Sequence, residues 1–260
     1  MSRLEAALNG LRSRHRVGII PYVTVGYPTL ESTIPIMRSL VEGGADVVEL
    51  GVPFSDPLAD GATIQRSSYR ALQNGVTLES CFAVVEEMRK EDLTTPVLLM
   101  GYYNPFLSYG LEQLCQTCQT VGVDGFIVPD LPVEEAGDFH RASEKHGLDL
   151  IFLLAPTSTD ERIARVARLA RGFVYCVSLA GVTGARKNLP KTLPAFLDRV
   201  RAHTKLPLAV GFGISTREHV AAVGTMADAA VIGSALIDLI DRFSPAEREK
   251  GIREYIESLR

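Results

Sequence analysis

Eight short apolar runs, each followed by a segment with helical spacing, constrain this chain more than any other feature. They fall at 17–20, 47–50, 97–100, 126–128, 151–154, 173–177, 208–210 and 229–232. The runs are apolar almost without interruption, where a half-exposed strand would alternate. Continuous apolar strands are covered on both faces, which is the condition of a parallel sheet between helices. Between them the apolar positions recur at helical spacing, as in Ile34, Met37, Leu40 and Val41, or Phe82, Val85 and Met88. Eight repeats of strand and helix point to a closed (β/α)8 TIM barrel, an α/β fold. The open, doubly wound alternative would carry GxGxxG after its first strand, and here that place reads TVGYP, residues 24–28.

Residues 1–260 read as a single domain, with no linker and no low-complexity segment. That length suits one (β/α)8 barrel. Leu4, Ala7, Leu8 and Leu11 predict an N-terminal amphipathic helix. The connection after the second run has room for an extra helix, giving helices near 62–73 and 78–90. Ser244 before Pro245 is the expected N-cap of a final helix.

Composition removes several classes of function. The net charge of −4 with scattered basic residues gives no footprint for nucleic acid. No apolar stretch approaches the roughly 20 residues of a membrane span, and the N-terminus lacks a signal-peptide pattern. Cys115 and Cys118 form a CxxC on a helical pattern with no second pair nearby. Two small buried residues in a reducing, cytoplasmic compartment is the plainer reading, and no metal is expected. None of the six lysines lies in a strand, against a Schiff-base mechanism, and the five histidines avoid the strand ends.

In a barrel the chemistry gathers at the C-terminal ends of the strands. Glu49 sits inside the second run between Val48 and Leu50, and Asp60 follows in a loop with Pro53, Asp56 and Pro57. Pointing inward, Glu49 would be desolvated and its pKa raised, while Asp60, in a wetter loop, would stay ionised. Two carboxyls in unlike environments suit acid/base catalysis; a structural Glu satisfied inside the barrel is the alternative. After the seventh and eighth runs come GFGIS and VIGSA, glycines each followed by Ser and a helix. Backbone N–H groups at such helix starts bind phosphate; tight turns in which only Gly fits are the alternative. The stretch 178–185, small and glycine-containing, is either a lid or a plain connector.

VELGVPFSDPLADG resembles the signature of the tryptophan synthase α subunit. PYVTVGYP, LLMGYYNP, VPDLPVEE, YCVSLAGVTGAR, GFGIS and VIGSALI are similar to that family's successive elements in the same order, across nearly the whole chain. The resemblance implies a cofactor-free retro-aldol cleavage of indole-3-glycerol phosphate to indole and glyceraldehyde 3-phosphate. Glu49 would be the acid/base and Asp60 would stabilise charge on the indole N–H. Tyr22, Leu99, Met100, Ile127 and Phe212 would wall the indole, while Tyr175 and Thr183 match the family's substrate-binding positions in the sixth strand and the lid, Thr183 contacting Asp60 when the lid closes. Gly184, Phe212, Gly213, Gly233 and Ser234 would bind phosphate. It also implies a β subunit that carries pyridoxal phosphate and receives indole, in an α2β2 complex. Pro53, Asp56, Tyr102, Asn104, Pro105 and Phe106 would face it, the last four in a proline-bent loop. A free-standing lyase that releases indole, and a barrel kept only as an allosteric partner, are the other readings. Pro129 and Tyr22 depart from the family's usual residues.

Overall fold

Each of the eight apolar runs forms a strand in the computed structural model, which describes residues 2–91, 94–178, 189–211 and 213–260. The strands are β1 Gly18–Thr24, β2 Val48–Gly51, β3 Val97–Met100, β4 Gly125–Ile127, β5 Asp149–Leu154, β6 Val174–Val177, β7 Leu208–Gly211 and β8 Ala229–Ile232. Every neighbouring pair is parallel, and β8 pairs with β1 to close the barrel. β1 is longer than expected, so Tyr22 and Thr24 lie within the strand and not after it. Pro21 interrupts the apolar pattern without ending the strand, and pairing with β2 begins at Tyr22.

Among the described residues the helices are α1 Arg3–Ser13, α2 Thr33–Glu42, α3 Ala62–Gln73, α4 Leu78–Lys90, α5 Tyr103–Tyr109, α6 Leu111–Val121, α7 Gly137–Lys145, α8 Asp160–Leu169, α9 Leu193–Arg201, α10 Arg217–Gly224, α11 Ser234–Arg242 and α12 Arg248–Ser258. None is long and apolar enough to cross a membrane. The extra helix after β2 is present, with α3 and α4 at the expected bounds. Thr77 caps α4 by accepting from the Ser80 N–H.

Two expected boundaries are corrected. The GYYNPF segment is not a bent loop, because residues 103–109 form α5. Pro105 stands in its first turn, where a missing N–H costs no intrahelical bond. The final helix begins at Arg248, not at Pro245. Ser244 Oγ bonds the Glu247 side chain at 2.6 Å, and its carbonyl closes the turn that precedes the helix.

Strand parity sorts the core into two layers. Ile20, Val47, Leu98, Ile127, Ile151, Phe173, Ala209, Ala229 and Val231 fill the barrel interior. The alternate residues, such as Ile19, Val48, Leu50, Leu99 and Phe126, pack against the helices. Phe106 of α5 is fully buried there, its ring 5.7 Å from Phe126 and 6.0 Å from Phe139.

The N-terminal end of the barrel is closed. Leu4, Leu8 and Leu11 of α1 join the interior cluster from below. Around them, Asp46, Asp124 and Asp228 stand just before β2, β4 and β8. Each accepts an N–H at the start of the preceding strand, from Ile19 at 2.8 Å, Val97 at 2.7 Å and Leu208 at 2.7 Å. Arginines neutralise them: Arg260 pairs with Asp46, Arg3 and Arg89 with Asp124, and Arg12 and Arg201 with Asp228. Asp149, which opens β5 at the same end, is buried without an arginine partner and accepts from Ser2 Oγ at 2.6 Å instead.

Candidate active site

The opposite end is built differently. A cavity opens among the C-terminal ends of the strands, lined by Tyr22, Glu49, Asp60, Tyr175, Gly213 and Ser234 together with Ile64, Met100, Ile214, Val231 and Gly233. The register that pairs Tyr22 with Glu49 and Glu49 with Leu98 puts these three at one level. Val48 and Leu50 turn outward, so Glu49 must turn inward.

Glu49 is 0% exposed, and neither carboxyl oxygen has a hydrogen-bond partner among the described residues. Burial alone pushes its pKa well above the ordinary carboxylate value. A buried carboxyl without cation or donor favours its protonated form.

Asp60 is also buried, at 9% exposure, so it is not in the wet place that the sequence suggested, although Asp56 and Leu58 of the same loop are exposed. Burial raises its pKa to about 6, and a hydrogen bond from Tyr102 opposes that rise. It is thus ionised at neutral pH, as expected, but with little to spare. Tyr102 Oη accepts from the Ala59 N–H at 2.9 Å and lies 3.1 Å from Asp60 Oδ2, to which it donates. The Tyr102 ring stacks on Phe54, 5.4 Å away. Gln65 donates to the Asp60 carbonyl at 2.8 Å. The loop is held at both ends of the carboxylate.

Two tyrosines flank the cavity in similar ways. A Cβ on Gly51 would stand 2.0 Å from Tyr22 Oη, and one on Gly211 would stand 2.3 Å from Tyr175 Oη. Each ring leans over a glycine on the next strand, one step nearer the mouth. The glycines are the space that the rings occupy. Burial drives the pKa of both hydroxyls upward, Tyr22 further by Asp60 and Tyr175 further by Glu49.

Gly213 has φ of 86°, a left-handed conformation suited to glycine. Gly233 precedes Ser234, the first residue of α11, so the open N–H groups of that helix face the cavity rim. After β7, Thr216 caps α10, its side chain accepting from the His219 N–H.

Most of the expected residues converge here: Glu49, Asp60, Tyr22, Met100, Tyr175, Gly213, Gly233 and Ser234. Ile127 lies deeper, in the barrel interior. Leu99 does not belong to the site. It faces the helix layer, and its neighbour Leu98 takes the inward position beside Glu49. Thr183, Gly184, Phe212 and the 179–185 part of the suggested lid lie outside the described residues. Of the expected interface residues, Phe106 is core and Tyr102 is engaged with Asp60. Pro53 is buried, Pro105 half-buried, and Asp56 and Asn104 are exposed. Leu58 at 89% exposure and Leu107 at 51% were not anticipated as the apolar groups of that face. Ile64, Ile214 and Val231 were also missed, since an apolar residue near a strand end carries no mark of its own. Cys115 and Cys118 are buried free thiols in the α6 packing. Among the described residues no three His, Cys, Asp or Glu side chains are grouped as metal ligands.

A closed parallel barrel with buried carboxyls and a helix N-terminus at its C-terminal mouth defines the (β/α)8 enzyme class, whose sites occupy that face. A family model described as tryptophan synthase alpha chain matches residues 8–259. The tryptophan synthase alpha chain of Roseiflexus castenholzii is 53% identical over 260 residues, with 100% of both chains covered. That of Geobacter sulfurreducens is 45% identical over 260 residues, covering 100% of this chain and 98% of the other. The crystal structure of tryptophan synthase subunit alpha from Legionella pneumophila superimposes with a TM-score of 0.92 at 40% identity, covering 100% and 97% of the two chains. The chain belongs to the tryptophan synthase α-chain family, the lyase half of an enzyme of tryptophan biosynthesis.

Proposed function

We propose that the cavity cleaves indole-3-glycerol phosphate to indole and glyceraldehyde 3-phosphate by a retro-aldol reaction whose protons Glu49 moves. The observation that carries this reading is the Glu49 carboxyl, buried and without a partner, in one cavity with Asp60 and the start of α11. Breaking the bond between indole C3 and the glycerol chain needs a proton on C3 and removal of a proton from the adjacent hydroxyl. A carboxyl that begins protonated can give the first and then take the second, ending as it began. The electron pair of the broken C–C bond returns to the ring and restores indole. Positive charge develops on the ring nitrogen when C3 is protonated, and ionised Asp60 stabilises it through the N–H. The Gly213 turn, Gly233 and Ser234 receive the phosphate through backbone N–H groups, joined by Gly184 and Phe212 if the family pattern holds. Thr183 of the lid stretch would meet Asp60 on closure.

A β subunit is the expected partner, in an α2β2 complex in which it alone carries pyridoxal phosphate. Leu58 and Leu107, exposed on the connections after β2 and β3, support a docking face there with Asp56 and Asn104. The test is indole release by the purified chain with and without a β subunit. Cleavage that β accelerates and that Glu49→Gln abolishes is the expected result. Undiminished cleavage by Glu49→Gln overturns the assignment.

A further inference from the structure

The turn from β7 to α10 carries two residues of the cavity wall, Gly213 and Ile214. Among the described residues, Gly213, Ile214 and Ser215 make no backbone–backbone hydrogen bond. A glycine turn without such bonds has many conformations open to it, and an anion that binds its N–H groups must first order it.

Two side chains supply what the backbone does not, and each grips one peptide of the turn. The peptide that joins Ile214 to Ser215 donates its N–H to His219 Nδ1 at 3.4 Å. The peptide that joins Ser215 to Thr216 accepts, at the Ser215 carbonyl, from Tyr255 Oη at 2.9 Å. His219 is the third residue of α10, and its own N–H goes to the Thr216 side chain at 3.3 Å. Its ring reaches back as the last member of a capping box does, but one residue beyond the cap. Nδ1 accepts, so it carries no proton. At 8% exposure the ring is largely shielded from water.

Tyr255 comes from forty residues along the chain, in α12. Ile252 and Ile256 bury that helix against the barrel's outer layer. Gly43, just after α2, lies so near that a Cβ there would stand 2.8 Å from the Arg253 carbonyl. The donor is therefore mounted on a fixed support. The Tyr255 ring packs on the same core, a role that phenylalanine would fill equally; the hydroxyl serves the turn. Burial pushes its pKa up to about 12, so the donor keeps its proton across the neutral range.

We propose that Tyr255, with His219, fixes the direction of the backbone N–H groups around Gly213 and so sets this chain's affinity for the phosphate of its substrate. Both are positioning residues, since neither is among those that line the cavity. The inference rests on the phosphate role proposed above for this turn.

The test measures kcat and KM for indole release by the full chain, with inorganic phosphate and indole as competing inhibitors. Tyr255→Phe keeps the ring and removes the donor. KM and the inhibition constant of phosphate then rise about two- to tenfold, the effect of one hydrogen bond. The inhibition constant of indole and kcat stay within about twofold of the wild-type values. His219→Leu moves the constants the same way. His219→Asn, whose Oδ1 stands where Nδ1 stood, restores them. Phosphate and substrate constants unmoved in both Tyr255→Phe and His219→Leu overturn the inference, as does an equal weakening of phosphate and indole, which marks a general loosening of the barrel. Phosphate that fails to compete in the wild-type chain overturns the phosphate reading and the inference with it. Phosphate that competes, and that Ser234→Asp weakens while Tyr255→Phe and His219→Leu do not, refutes the positioning role alone.

Discussion

Removing the Tyr102 hydroxyl isolates the forces acting on Asp60. Tyr102 Oη donates to Asp60 Oδ2 and accepts from the Ala59 N–H, and Asp60 sits at a pKa of about 6 because burial outweighs that bond. Tyr102→Phe keeps the ring stacked on Phe54 and deletes the hydroxyl, so Asp60 loses its donor and the Ala59 N–H its acceptor. A hydrogen bond to a charged group contributes about 1.5–3 kcal/mol, so its loss raises the Asp60 pKa by ~1 unit or more. If ionised Asp60 is required, a rise of about 1 unit reduces its ionised fraction roughly fivefold at pH 6 and roughly twofold at pH 7, with almost no change at pH 8.5. The assay is kcat/KM for indole release against pH, since this ratio reports the free enzyme. The acid limb moves up while the rate at alkaline pH is kept. An acid limb unmoved by Tyr102→Phe would show that Asp60 ionisation does not govern the reaction. Equal loss at every pH would show a displaced loop instead.

Other consequences follow from the same geometry. Glu49 has a folded pKa raised above its unfolded value, so it favours the folded state most below about 4.5 and loses that contribution as pH rises towards the folded pKa, at about 1.4 kcal/mol per unit. Glu49→Gln therefore stabilises the chain at pH 8 but not at pH 4, as urea midpoints at the two pH values would reveal; equal shifts would refute the buried-charge argument. Gly51→Ala drives a methyl group to 2.0 Å from Tyr22 Oη, so the ring must move into the cavity. The expected outcome is a raised KM and a loss of ~1–3 kcal/mol in denaturant stability. Ser234→Asp places a negative charge on the first residue of α11, which favours the helix by about 0.3–1 kcal/mol yet repels phosphate. Its melting temperature should hold or rise while KM for the phosphorylated substrate climbs at least tenfold; an unchanged KM moves the phosphate elsewhere.

Much of the barrel was legible because buried strands have no alternation to confuse. The bounds of α3 and α4 were readable from periodicity and punctuation. Within a strand, parity is another matter. In β2 the single polar residue, Glu49, announces which side faces in. β3 reads VLLM, with no polar mark, and both Leu99 and Met100 were expected to touch indole although adjacent residues point opposite ways. Tyr102 and Phe106 looked alike in GYYNPF. One became the clamp on Asp60 and the other joined Phe126 and Phe139 in the core, because α5 turns its residues through different directions. Asp60 was misjudged as wet since the ring of Tyr102, over forty residues away in sequence, is what covers it. The buried hydrogen bonds that join Tyr22 to Thr24 and Thr24 to Ser67 were invisible for the same reason: they exist only after β1 and α3 have packed together.

The closed floor of the barrel has a consequence for traffic. With α1 seated beneath the strands, the described residues close the barrel at its floor and leave the cavity open towards the mouth. In the reaction proposed above, the substrate and both of its fragments would pass through that mouth. Whatever docks over that mouth inherits control of every arrival and departure, and can turn a dead-end chamber into the first room of a corridor.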